Sequence, residues 1–194
     1  MRKEIYLTVG MLSLASLVGC SHSEAAKLSQ ENLDDLTLLE QVNAVVENVG
    51  VIDGYTTIVE GNSIAIQYTQ DSMSDNNVVL ADKKEGFPNI AMTLADQLSV
   101  VDYDELVIAA YKENSDDGII LVSATFDESE VDFDSWKDVR DDSPENFYNK
   151  YVDGYMIQGM VWDKLTPDTQ DAIKSESKGD TGTDFWERYG SLVE

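Results

Sequence analysis

The sequence predicts an α+β domain. Two hairpins form an antiparallel sheet, each is preceded by a helix, the helices lie on one face, and a helical extension follows at the C-terminal end. Three observations predict it. Two pairs of β-rich runs flank turn dipeptides: Tyr55 to Tyr68 around Gly61-Asn62, and Leu106 to Phe126 around Asp117-Gly118. Each pair follows an apolar stripe at helical spacing. At residue 127 the composition turns acidic and then aromatic.

The elements follow in order. Thr37-Leu38-Leu39-Glu40 fits a capping box, and Leu38, Leu39, Val42, Val45, Val46 and Val49 recur at helical spacing up to a stop at Gly50. This predicts a helix over 38–49. In the first hairpin Ile64, Ile66 and Tyr68 alternate with smaller or polar residues, which predicts one buried and one wet face. Residues 69–87 are polar and broken. Pro88 and Asn89 open a second helix, with Ile90, Leu94, Ala95, Leu98 and Val101 on its apolar stripe. The second hairpin carries the strongest strand signals, Leu106 to Tyr111 and Ile119 to Phe126. Beyond Asp127 the acidic run includes Trp136. Ser143-Pro144 then opens a helix on which Phe147, Tyr148, Tyr151, Val152, Tyr155 and Trp162 recur, with Gly154 and Gly159 as weak points. Thr166-Pro167-Asp168 caps a short helix, and Phe185, Trp186, Tyr189 and Leu192 close the chain.

The first twenty residues carry a targeting pattern. Met1-Arg2-Lys3-Glu4 is basic, and Ile5 to Val18 is almost wholly apolar or small. That run is too short for a bilayer-spanning helix, which needs about 20 apolar residues. It ends in Leu17-Val18-Gly19-Cys20, whose Cys20 is the sole cysteine. The stretch resembles the lipobox of bacterial lipoproteins. The resemblance implies that the Cys20 thiol takes a diacylglyceryl group and that the chain is cut before it. Acyl chains contribute about 0.8 kcal/mol per buried CH₂, so two or more anchor a protein stably.

Five stretches result: 1–19 a signal peptide, 20–36 the lipidated cysteine and a flexible tether, 37–126 the α+β domain, 127–143 an acidic connector, and 144–194 an aromatic-rich helical extension. The order of elements over 37–126 is loosely similar to that of an uncharacterised group of small lipoprotein or surface domains of Gram-positive bacteria. That likeness places the chain on a Gram-positive cell surface rather than a Gram-negative outer membrane, and carries no activity with it.

Charge narrows the partners. Arg2, Lys3 and Glu4 belong to the leader, so the remaining chain holds 11 basic and 37 acidic residues, a net of −26. Nucleic acid is excluded, because its phosphates are bound by basic side chains. Anionic headgroups repel such a chain, so its membrane contact is expected through lipid on Cys20 alone. The bland account of the charge is solubility; the sharper one is attraction for a basic protein or peptide.

Residue types also exclude chemistries. His22, the only histidine, lies in the tether, so neither a Ser-His-Asp triad nor a Cys-His pair is available. No Cys/His cluster offers a zinc site and no Gly-rich loop a phosphate site. Glu113 to Gly118 fails as an EF-hand, since Ala124 falls where a bidentate Glu is required. No cofactor and no catalysis are expected. Trp136, Trp162 and Trp186 are the candidate surface for a peptide, glycan or partner protein, against the plainer account that they seal helices onto the sheet. The expected function is a lipid-anchored extracellular protein acting as a binding or envelope-interaction module. Two alternatives stay open: a glycan hydrolase working through paired carboxylates, and a surface protein that binds divalent cations weakly.

Overall fold

The computed structural model describes residues 6–9, 26–70, 79, 86–112, 119–127, 133–139 and 145–174. Along them run β1 (Tyr6–Val9), α1 (Leu38–Val49), β2 (Tyr55–Glu60), β3 (Ser63–Thr69), α2 (Phe87–Leu98), β4 (Glu105–Lys112), β5 (Ile119–Asp127), α3 (Phe133–Val139), β6 (Gly154–Ile157), α4 (Gly159–Trp162) and α5 (Pro167–Lys174). The class is α+β. The six strands form one sheet in chain order, β1-β2-β3-β4-β5-β6.

The sheet is mixed, which corrects the antiparallel expectation. β2 and β3 pair antiparallel, as do β4 and β5, but β3 and β4 run parallel from Ser63↔Glu105 to Thr69↔Tyr111. The cause is α2. A helix between two neighbouring strands returns the chain to the end from which it started, so the strands it joins run the same way. Between β2 and β3, Gly61 takes φ 64° as the first of two turn residues, the position a type II′ turn reserves for glycine. Its partner Asn62 is held by Asp104, whose backbone N–H donates to the Asn62 carbonyl over 3.0 Å.

α1 keeps its expected bounds. The Thr37 hydroxyl accepts from the Glu40 backbone N–H, and the Glu40 carboxylate accepts from the Thr37 backbone N–H at 2.9 Å, so each end of the capping box satisfies a free amide. Gly50 ends the helix at φ 61°, a left-handed conformation that glycine adopts without a Cβ penalty. The core joins Val42, Val45 and Val46 of α1 and Phe87, Ala91, Leu94 and Leu98 of α2 to Ile64, Ile66, Tyr68, Leu106, Ile108, Ala110, Val122, Ala124 and Phe126 of one sheet face.

The opposite sheet face is buried at its centre too, so the expectation of a wet face on β3 fails. All of Ile64 to Tyr68 is buried, and so is all of Leu106 to Ala110. The register puts Ile58, Ala65, Val107 and Thr125 in one row of that second face, and Gln67, Ala109 and Ser123 in the next. Continuous burial of this kind belongs to strands covered on both sides.

Two further segments depart from expectation. Residues 26–36, expected in the tether, dock on the helices. Leu33 is buried, and the Gln41 side chain donates to the carbonyls of Leu33 and Leu36. Asn48 donates to the Ala26 carbonyl at 3.0 Å, and Lys27 donates to the Ser99 hydroxyl at 2.7 Å. The aromatic segment is also not one helix. Phe147–Tyr151 is a π-helical turn with three consecutive side chains buried, and Gly154 then starts β6, which pairs with β5. Gly154 and Gly159 are the breaks: the first faces Thr125 across the pairing, and the second opens α4. The acidic connector in turn holds α3, and with it Trp136.

Candidate functional site

The site is built on β2, the strand just inside the sheet edge. Its residues are Tyr55, Thr56, Thr57, Ile58, Val59 and Glu60, β-branched or aromatic apart from the last. Natural edges are usually blunted by lysine, proline, a bulge or a covering element. β2 has no lysine, no proline and an unbroken register with β3. Its cover is β1, which lies antiparallel to it in the register Tyr6↔Val59, Leu7↔Ile58, Thr8↔Thr57 and Val9↔Thr56.

α1 fixes β2 from the core side. The Thr57 hydroxyl donates to the Asn43 side-chain oxygen at 2.8 Å. Burial, and then the nearby Glu47 carboxylate, push the Tyr55 phenol up to about 12. On the other face Ile58 is buried in line with Ala65 and Val107. Gly54, at φ 67°, anchors the start of the strand through its carbonyl, which accepts from Thr69 N–H at 3.1 Å. β2 is therefore held by β3 and α1 as well as by β1. What such a strand offers chemically is a row of main-chain donors and acceptors.

The residues singled out from sequence fall elsewhere. Cys20 and Trp186 lie outside the described residues, as do His22 and the Asp117-Gly118 turn. Trp136 is fully buried, with its ring 5.8 Å from Phe147 and 5.4 Å from Tyr151 in edge-on geometry. The same aromatic group continues from Phe147 to Phe87, Phe126 and Tyr148, and from Tyr148 to Tyr155 on β6. Trp162 is half-buried against the core, and its carbonyl accepts from the Gln170 side chain at 2.7 Å. The structure thus does not bring Trp136 and Trp162 together on a surface. No group of three or more His, Cys, Asp or Glu side chains able to hold a metal occurs among the described residues. No helix of the described residues is long and apolar enough to cross a membrane.

Sequence reasoning missed β2 as a site because strand order is not written in strand signals. Only the parallel pairing of β3 with β4 leaves β2 on the outside. A signal did exist at residues 6–9, where Tyr-Leu-Thr-Val is good strand composition inside a stretch read for targeting alone. Comparison with family models, with curated proteins and with solved structures finds no match to the chain.

Proposed function

We propose that the chain is a bacterial lipoprotein, held at the outer face of the cell membrane through lipid on Cys20, whose folded part is a non-catalytic binding module. The observation that carries the reading is the lone cysteine at the end of a basic start and an apolar run of signal-peptide length. The docking of residues 26–36 adds a consequence. Only residues 21–25 separate Cys20 from docked chain, a reach of roughly 20 Å rather than the roughly 50 Å of a sixteen-residue tether. The folded part stays near the membrane while its charge, net −26, keeps it off anionic headgroups.

Detergent phase partition tests the reading. Wild-type protein is expected in the detergent phase, with acyl label on the chain. Cys20→Ala is expected to lose the label and keep its leader. Equal labelling and partition of the two proteins would remove the anchor from the account. Binding is tested separately by cross-linking the lipidated protein on intact cells. A specific cross-linked partner supports the module reading, and none at saturating cross-linker counts against it.

A further inference from the structure

We propose that the edge of β2 is a strand-addition site, covered by residues 6–9 in the precursor and, once the leader is gone, filled by an extended basic segment of another protein. The inference rests on the reading of residues 1–19 as a removable leader. Four observations carry it.

First, the site has an occupant whose form is known. β1 lies against β2 over four register pairs, so an extended main chain fits there antiparallel. Second, β1 precedes Cys20, and a cut before Cys20 removes it. The remaining edge then exposes main-chain donors and acceptors that β-addition satisfies directly. Third, the strand does not depend on β1 for its shape. Six pairs with β3, the Thr57–Asn43 hydrogen bond and the burial of Ile58 hold it ready, which lowers the ordering cost of binding.

Fourth, charge selects the occupant. Glu60 ends the strand, and Asp53 precedes Gly54 just before its start. A second copy would bring another net −26 to the same edge, and like charge opposes that pairing. A segment with basic flanks around a β-branched or aromatic centre fits instead. The leader carries the basic part of that pattern on one side alone: Arg2 and Lys3, followed by Glu4, precede Tyr6, which pairs with Val59 beside Glu60.

The test uses the mature lipoprotein extracted from membranes in detergent, and a labelled peptide of the residues 5–9 sequence flanked by lysines. Anisotropy is expected to show saturable binding. The Cys20→Ala precursor, which keeps its leader, is expected to bind at least about tenfold more weakly, because its edge is taken. Two versions of the peptide, N-methylated at alternate residues, read the geometry. Along one edge only every second N–H points at the partner strand, so one version should lose about tenfold or more and the other little.

Each outcome decides. Intact mass shows first whether the leader has left: a chain still starting at Met1 overturns the leader reading and this inference with it. A processed chain that ignores the peptide overturns the inference alone. Equal loss from both methylation patterns overturns strand addition. A mature dimer in sedimentation, broken by the peptide, overturns the heterologous partner and gives the edge to a second copy.

Discussion

Tyr68 and Tyr148 lie deep in the core, and each is pushed well above the ordinary tyrosine range by burial; for Tyr148 the neighbouring phenols of Tyr68 and Tyr155 add to it. Their hydroxyls fare differently. Tyr148 donates to the Val79 carbonyl at 2.6 Å, whereas the Tyr68 hydroxyl has no hydrogen-bond partner among the described residues. A buried donor left unmade costs about 1–3 kcal/mol, and deleting it removes that cost. Tyr68→Phe should therefore be neutral or stabilising by about 1 kcal/mol in a urea melt. Tyr148→Phe should destabilise by about 1–2 kcal/mol, because the Val79 carbonyl loses its donor. The opposite order would show the two hydroxyls to be wrongly assigned. With Tyr55, these phenols also set an alkaline limit. A phenol whose folded value lies above 10 stabilises the fold below pH 10, and that contribution falls away as the pH rises toward the folded value, about 12 for Tyr55. Thermal melts should therefore show stability declining above pH 10.

At the scale of elements, local signals transfer, the two antiparallel strand pairs included, and the pairing between those pairs does not. Thr37, Glu40 and Gly50 define α1 in the sequence as they do in the structure, since caps act within one turn. The Gly61-Asn62 turn is equally local. β6 was not legible, because Tyr148, Tyr151 and Tyr155 fall at helical spacing by sequence alone. In the structure Tyr148 and Tyr151 sit on a π turn and Tyr155 on a strand opposite Ala124. Short apolar runs are ambiguous in this way. The parallel pairing of β3 and β4 needs knowledge of where α2 carries the chain, and periodicity has none. The cap supplies a test at this scale. The Thr37 hydroxyl, and then the Thr37 backbone, hold the Glu40 carboxyl below its ordinary 4.5. A depressed carboxyl stabilises the fold above 4.5, and the contribution is lost as the pH falls through the folded value. Thr37→Ala should cost about 1 kcal/mol at neutral pH. The gap from wild type should narrow below pH 4.5, as followed by far-ultraviolet circular dichroism melts. A gap that is constant with pH would mean that the hydroxyl acts on the helix alone and not through Glu40.

In the whole molecule, the proposed removal of the leader would uncover a sheet edge. Of the proposed functional parts, Cys20 is legible only in the sequence and the β2 edge only in the structure. Trp136 leaves the suggested aromatic surface, because its ring belongs to the core. The account requires that removing the leader change the state of β2 and little else. Amide hydrogen exchange on residues 55–60 tests this most directly, comparing the leader-bearing Cys20→Ala precursor with the mature lipoprotein. Alternate amides bonded to β3 should stay protected in both, while those facing β1 should be protected in the precursor and exchange fast in the mature chain. Identical protection of all β2 amides in the two proteins would contradict the account.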